Sequence, residues 1–193
     1  MASLQGESII FTCMDKFHNK YRIPSARLQH WDYGSAGMYF ITICTKKRDH
    51  AFGEIVDGIM HLSPLGKKTK EEWLKTPEIR PDMQLELGEF ETMPNHFHCV
   101  LIIGNNPYNS GRENQNPTAN KFAPQSKNLG SVIRGFKSAI TSFAKEKHIA
   151  FQWQERFHDH IIRNHEEYLR ISDYILNNIP NWKDDKFYGD SLL

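Results

Sequence analysis

Runs of β-branched and aromatic residues predict four strands of one sheet. Residues 38–45 are almost wholly apolar, β-branched or aromatic, which is typical of a central strand. Residues 84–92 alternate polar and apolar side chains, and a turn then leads into a second apolar run at 96–103, so we expect two antiparallel neighbours. Residues 151–162 mix aromatic and polar side chains and predict the last strand. A shorter hairpin at 52–62 turns at an Asp-Gly pair.

Three segments repeat apolar residues at helical spacing. The first begins at Ser63 and reaches about Lys75, because serine is a favourable N-cap and the proline after it suits the first helical position. Its candidate core residues are Leu65, Trp73 and Leu74. Residues 131–148 predict an amphipathic helix with a basic side, and residues 166–178 predict a last helix. The apolar stripe of that last helix consists of Tyr168, Ile171 and Ile175.

The order of these elements predicts an α+β fold. A strand, a hairpin, a helix, two strands, a helix, a strand and a helix favour a ferredoxin-like sandwich, with a central antiparallel sheet and helices packed on it in a second layer. Residues 105–128 are rich in Asn, Gln, Pro, Ser and Gly and predict a mobile loop. We expect an N-terminal arm at 1–30, a single domain at 31–188 and a tail at 189–193.

Charge is nearly balanced over the chain but is segregated along it. The 193 residues are 39% hydrophobic and 24% charged, which excludes a wholly disordered protein, and the net charge is +1. Residues 15–49 hold seven bases and three acids, and residues 121–163 hold eight bases and three acids. Residues 71–91 hold seven acids and two bases. If the two basic stretches meet in space, they form a patch for an anionic polymer, whereas separate solvated faces are the alternative.

The cysteines and the hydropathy indicate a soluble, cytoplasmic protein. Cys13, Cys44 and Cys99 are an odd number and widely spaced, so they predict neither a disulfide framework nor a zinc ribbon, and a reducing compartment is expected. No apolar run approaches the ~20 residues that cross a bilayer, so we expect no membrane partner.

Two histidines form the first candidate constellation. Side chains alternate along a strand, so His96 and His98 project from one face while Phe97 points into the opposite layer. Two imidazoles bind Zn, Mn, Fe, Ni and Cu well, bind Mg less readily, and leave coordination sites open for oxygen ligands. Partly buried histidines bonded to backbone groups are the alternative. A His-triad nucleotide hydrolase would need a third histidine where Val100 stands.

Tyr174 and Asn178 form the second constellation. They are four residues apart and therefore share one face of the predicted helix, at the margin of its apolar stripe. A tyrosine used only for packing would be better placed within the stripe. The alternative is a packing residue whose hydroxyl lies in water.

Ordered motifs give these residues a common context. Residues 93–100, Met-Pro-Asn-His-Phe-His-Cys-Val, resemble the His-hydrophobe-His signature of the HUH nucleases, specifically the single-tyrosine transposases and their REP-associated tyrosine transposase relatives. Further similar segments follow the family's order at 39–45, 52–55, 130–138, 153–164 and 173–182. The resemblance spans roughly Arg22 to Tyr188, which is nearly the whole chain.

The resemblance implies a metal-dependent DNA strand transferase. In that family a tyrosine attacks a phosphodiester of single-stranded DNA next to a hairpin, and this leaves a 5′-phosphotyrosine link and a free 3′-hydroxyl. The nucleophile maps onto Tyr174. A divalent Mg²⁺ or Mn²⁺ ion maps onto His96 and His98, with Asn178 as a further oxygen ligand that suits a hard cation. The family's proline stands one residue later here, at Pro180, so we expect a helix that is one residue longer.

Binding residues and partners follow from the same resemblance. Single-stranded or hairpin DNA is the expected partner, and relatives include both monomers and homodimers that exchange catalytic helices. Candidate phosphate contacts, with solvated side chains as the alternative, are Arg134, Lys137, Lys46, Lys47 and Arg48. A catalytically silent, domesticated hairpin-DNA-binding protein is the alternative function, and the intact histidines and tyrosine argue against it.

Overall fold

The computed structural model describes residues 31–110 and 126–188, together with the backbone of a small antiparallel ribbon, β1 (Lys16–Phe17) and β2 (Lys20–Tyr21). The other residues of the predicted arm, residues 111–125 of the predicted loop and the predicted tail lie outside the described residues. In chain order the remaining elements are β3 (Gly37–Cys44), β4 (Gly53–Val56), β5 (Ile59–Leu62), α1 (Pro64–Leu74), α2 (Thr76–Ile79), β6 (Leu85–Thr92), β7 (His96–Ile103), α3 (Leu129–Glu146), β8 (His158–Ile162) and α4 (His165–Leu176).

One four-stranded antiparallel sheet organises the domain. Its strand order is β6-β7-β3-β8, which is the order of a ferredoxin-like sandwich and confirms the predicted α+β fold. The two central strands pair along their whole length, with Cys44 opposite His96 and Gly37 opposite Ile103. The predicted hairpin, β4 with β5, forms a separate two-stranded ribbon.

Helices cover both faces of the sheet, so the prediction of two layers is wrong. α1 and α3 pack together on one face, where Phe97 and Leu101 join the main core with Phe136 of α3. α4 packs on the opposite face, where Ile171 and Ile175 form a second core with strand residues. β7 is buried at nearly every position because its two faces lie against two different helical layers.

A close approach between α4 and the sheet positions the second layer. Gly88 of β6 lies under α4, and a Cβ there would be 2.9 Å from the Cβ of Val100 and 3.4 Å from the hydroxyl of Tyr168. A larger side chain would therefore push α4 away from β7. β6 also changes register between Leu87 and Phe90, next to this contact.

Several predicted boundaries are corrected by local hydrogen bonding. α3 begins at Leu129, two residues early, because Asn128 and Ser131 form a reciprocal capping box. β8 begins only at His158, and residues 151–157 are irregular apart from a single bridge between Thr45 and Trp153. The predicted core residue Leu74 is 50% exposed, whereas Leu65 and Trp73 are buried.

The described beginning of the predicted loop, residues 105–110, is held by hydrogen bonds. The side chain of Asn106 donates to the carbonyls of Met83 and Gly104, and the side chain of Asn109 donates to those of Gly34 and Gly104. These residues therefore belong to the ordered domain.

Within the described part of the chain, no helix combines the length and the apolar character that crossing a bilayer requires.

Candidate metal and nucleophile site

His96 and His98 lie side by side at the start of β7, on the face that α4 covers. Their ring centroids are 4.4 Å apart, and both residues are at most 1% exposed. Phe97 points into the opposite core, as the strand alternation predicts. The open alternative, histidines bonded to backbone groups, is wrong because three of the four ring nitrogens meet side chains and the fourth, His96 Nε2, has no partner among the described residues.

Asn95 fixes the orientation and the tautomer of His96. The Asn95 Nδ2 group donates to the carbonyl of Phe187 over 2.9 Å, so its Oδ1 atom faces His96 Nδ1 at 2.8 Å. Because Oδ1 can only accept, the proton of the neutral imidazole lies on Nδ1. The Nε2 atom then carries the lone pair, and it is buried without a hydrogen-bond partner among the described residues. A buried imidazole in this state is prepared for a metal ion.

Thr42 and Tyr174 bracket His98. The Thr42 hydroxyl lies 2.9 Å from His98 Nδ1, and these two residues are direct cross-strand partners of β3 and β7. The hydroxyl of Tyr174 lies 3.3 Å from His98 Nε2. Both histidines direct Nε2 toward the same region, and the hydroxyls of Thr42 and Tyr174, which can donate or accept, complete the hydrogen bonds of His98.

Burial keeps both histidines neutral. It lowers the pKa of His98 to about 3, with a smaller effect from the nearby cation Lys186. Burial also lowers the pKa of His96 far below its usual range, and the charges of His98, Arg48 and Lys186 act in the same direction. The Asn178 amide lies close enough to oppose that shift in part, although the buried Nε2 and Asn178 Oδ1 atoms do not reach a normal hydrogen bond. Neutral imidazoles are the form that binds metal.

Tyr174 lies on α4 with its phenol between His98 and a carboxylate. Its hydroxyl donates to Asp185 Oδ2 over 3.2 Å, and the residue remains 40% exposed. Burial of the ring and the charge of Asp185 raise the pKa of Tyr174 to about 12. The phenol is therefore protonated at neutral pH, and a nearby positive charge would be needed to favour its ionised form.

Asp185 is the functional candidate that the sequence reasoning missed. One ligand atom from each of His96, His98 and Asp185 lies within 4.8 Å of the others. Asp185 Oδ2 also accepts from the side chain of Asn178 over 3.0 Å. No sequence motif identified this aspartate, because it follows α4 by nine residues in a polar, charged segment.

Asn178 lies at the site but not on the helix. α4 ends at Leu176 with Asn177 as its C-cap, so the expected longer helix is wrong. A hydrogen bond from the Asn178 backbone to the Ile175 carbonyl continues the turn and brings the side chain to the histidines. Its Oδ1 atom is buried and has no hydrogen-bond partner among the described residues, so it is free to act as an oxygen ligand.

The segment that follows α4 covers the histidines on one side. The ring of Phe187 lies 4.5 Å from that of His96, and the ring of Trp182 lies 5.9 Å from it. Arg48 and Lys186 stack on Phe187 with their charged groups 4.1 Å and 4.8 Å from its ring centre. Two cations therefore stand close to the histidine pair.

The predicted phosphate contacts separate into two groups. Lys46, Lys47 and Arg48 form a turn directly after β3, at the same end of the sheet as the histidines, and Lys47 and Arg48 have positive φ angles of 56° and 60°. Lys46 donates to the side chain of Gln152 over 2.6 Å. Strained backbone of this kind is common at functional sites.

Arg134 and Lys137 lie on α3, on the other face of the sheet. Lys137 donates to the carbonyl of Gln154 over 2.6 Å, and its charge lies 5.6 Å from the ring centre of Trp153. Burial lowers the pKa of Lys137. The structure thus does not bring these two cations to the histidines, and a role in DNA contact stays a prediction for them.

Comparisons with known proteins agree with this architecture. No protein-family model matches the chain. An uncharacterized protein of Haemophilus influenzae is 38% identical over 169 residues, which cover 86% of this chain and 93% of that protein. The solved structure of a REP-associated tyrosine transposase bound to a REP hairpin has a TM-score of 0.55 and 18% identity, and the match covers 85% of this chain and 77% of that one. The chain therefore belongs to the family of the Haemophilus influenzae protein, and its fold is the REP-associated tyrosine transposase fold that its motifs predict.

Proposed function

We propose that this protein is a metal-dependent DNA strand transferase that cleaves and rejoins single-stranded DNA next to hairpins. Tyr174 is the nucleophile, and the metal ligands are His96 and His98 with oxygen atoms of Asp185 and Asn178. The observation that carries the proposal is the 3.3 Å separation between the Tyr174 hydroxyl and His98 Nε2. The structural neighbour that carries a REP hairpin supports hairpin-bearing DNA as the substrate class.

The donor set fits a hard divalent cation. Two neutral imidazole nitrogens and two oxygen donors converge on one region, and two of these atoms, His96 Nε2 and Asn178 Oδ1, are buried without hydrogen-bond partners among the described residues. Oxygen donors favour Mg²⁺ or Mn²⁺ over softer ions. When bound, such an ion polarises the scissile phosphate and offsets its developing charge.

The residues of the chain divide the remaining chemistry. The Tyr174 oxygen forms a bond to phosphorus while the bond from phosphorus to the 3′-oxygen breaks, which leaves a 5′-phosphotyrosine and a free 3′-hydroxyl. The phenol proton has an ordered acceptor in Asp185 Oδ2, at 3.2 Å. Asn95 holds His96 in the tautomer that leaves Nε2 free, and Thr42 fixes the orientation of the His98 ring. Attack by the 3′-hydroxyl of another strand reverses the step and rejoins the DNA.

The proposed active site uses groups of a single chain. Tyr174 of α4 meets the histidine pair of its own sheet, so the proposed reaction needs no helix from a second copy. Lys47 and Arg48 stand at the same end of the sheet and are the favoured phosphate contacts. We place the reaction in the cytoplasm, where Cys44 and Cys99 remain free thiols.

A labelled hairpin-bearing single strand incubated with Mn²⁺ tests the proposal. Wild-type protein should form a covalent adduct that survives denaturation, and Tyr174→Phe should form none. Tyr168→Phe is the matched control, because Tyr168 packs on the same helix away from the histidines and should leave the adduct unchanged. Tight binding without an adduct on any cognate strand would instead establish the silent hairpin-binding protein.

A further inference from the structure

We propose that an open cleft beside α4 is a subsite for one unpaired nucleobase next to the scissile phosphate, an inference that rests on the proposed function. The cleft has a volume of about 710 Å³. Its walls come from β3, β8, α4 and the segment after α4. Its lining residues include Phe40, His160, Arg170, Asp173, Asn177 and Asn181.

The cleft is the side from which DNA reaches the nucleophile. Phe187 and Trp182 cover the histidine pair on one side, and β7 closes it from behind. Tyr174 and Asp185 line the cleft and also contact or adjoin the histidines, so the two spaces are continuous. Among the described residues, a phosphate can therefore approach the Tyr174 hydroxyl through this cleft, and the nucleotide attached to that phosphate must occupy it.

Charge in the cleft favours a base over a second phosphate. Asp173, Asp184 and Asp185 line it, and Arg170 is the one Lys or Arg side chain among its described lining residues. Glu167 lies 3.6 Å from Arg170, so part of that positive charge is already balanced. Carboxylates repel a phosphate but accept hydrogen bonds from base edges.

The lining groups match the edges and the face of an unpaired base. The side chain of Asn177 donates to the Oδ1 atom and the carbonyl of Asp173 over 2.8 and 2.9 Å, so the Asp173 acceptor is held in place. Phe40 contributes a partly exposed aromatic ring to the edge of the cleft, and unpaired bases stack on such rings. Carboxylates only accept, so they favour the exocyclic amines of adenine, cytosine and guanine. The single N3–H donor of thymine is flanked by two carbonyl oxygens that a carboxylate repels, so thymine is disfavoured.

Cleavage of a strand pool tests the subsite. Hairpin-bearing strands randomised at the bases beside the hairpin are incubated with Mn²⁺, and the covalently linked and released ends are sequenced. Wild-type protein should disfavour thymine at one position next to the cut by roughly tenfold. Asp173→Ala and Asn181→Ala should still form the adduct, with that preference reduced to below roughly threefold. Glu166→Ala removes an exposed acid of α4 outside the cleft and should keep the wild-type preference.

A binding measurement separates failure of the subsite from failure of the proposed function. Tyr174→Phe protein, which cannot form the adduct, is titrated with fluorescent tetranucleotides of adenine, cytosine or thymine. Adenine and cytosine tetranucleotides should bind several times more tightly than thymine, and Asp173→Ala should remove the difference. Equal affinities, or an unchanged base preference in both cleft variants, would overturn the subsite even if the wild-type protein cleaves DNA. Absence of any adduct with a preserved difference in affinity would count against the strand transferase alone.

Discussion

The two faces of the central sheet have different chemistry although they share the same strands. On the face under α1 and α3, the side chains of Ile41, Phe97 and Leu101 are apolar and fully buried. On the face under α4, the neighbouring positions Thr42 and His98 are equally buried but polar. The first face contributes the larger hydrophobic core. The second face buries polar side chains, including the imidazole of His98, at positions where apolar side chains would contribute more to stability.

This difference shows how one strand can serve stability and chemistry at once. The twofold period of β7 sends alternate residues to opposite layers, so a change on one face leaves the other in place. Burying two imidazoles costs stability unless their nitrogens are paired. Asn95 and Thr42 supply part of that pairing, and His96 Nε2, which has no partner among the described residues, is the proposed metal ligand.

Replacing a histidine should have the largest effect on activity. His96→Ala removes one metal ligand, so we expect no covalent adduct and no Mn²⁺ binding detected by electron paramagnetic resonance. Hairpin affinity should stay within roughly tenfold of wild type, because phosphate contacts dominate DNA affinity. His61→Ala changes an exposed histidine of β5 and should leave all three measurements unchanged. Complete loss of hairpin binding in His96→Ala would contradict the separation of roles.

Replacing the residue between the two histidines should act on stability. Phe97 is fully buried against Trp73 and Phe136, so Phe97→Ala should lower the free energy of unfolding by about 3–5 kcal/mol in urea denaturation. Leu74→Ala, at a half-exposed position of α1, should cost about 0.5 kcal/mol or less. Equal losses in the two variants would mean that the apolar face does not dominate stability.

Removing the orienting amide should weaken metal binding without removing a ligand. Asn95→Ala deprives His96 Nδ1 of its acceptor, and we expect Mn²⁺ affinity to fall about 10- to 100-fold. Asn95→Asp retains an acceptor oxygen at that position and should lose less affinity. An Asn95→Asp variant that binds Mn²⁺ more weakly than Asn95→Ala would show that Asn95 does not act through the His96 tautomer.

The polar face should also make stability depend on pH. The pKa of His98 is about 3 in the folded protein and near 6.5 in the unfolded chain, so the unfolded state gains a proton first as pH falls. The contribution of neutral His98 to the free energy of unfolding is fully present above about pH 6.5. It falls as the pH is lowered, by about 2 kcal/mol at pH 5. In metal-free buffer, His98→Asn should therefore lose less stability than wild type between pH 7 and pH 5. Parallel curves for the two proteins would rule out His98 as the source.

Periodicity in the sequence predicted the sheet, and the ordered motifs selected His96, His98 and Tyr174, which lie together in the structure. The alternation at 96–103 correctly separated His96 and His98 from Phe97, and the spacing on the last helix placed Tyr174 on the side that faces them. Apolar runs in β3 and β7 were distinctive because both strands are covered on two faces.

The remaining features depend on contacts that spacing does not encode. The last helix lies on its own face of the sheet, and sequence order alone does not decide which face a helix covers. Asp185 reaches the site only because the chain turns back after α4, and the isolated acid carries no periodic signal. Thr42 and Asn95 are recognisable in the sequence as polar residues beside apolar runs. Their partners, His98 and His96, follow only from the folded structure.

Because one polypeptide supplies both Tyr174 and the imidazole pair, we expect the proposed reaction to need only one molecule. Mixing His96→Ala protein with Tyr174→Phe protein should not restore cleavage. An excess of either variant should not inhibit the wild-type protein through mixed oligomers. The rate per molecule should also stay constant on dilution. A cell would then need very few copies for the reaction to proceed.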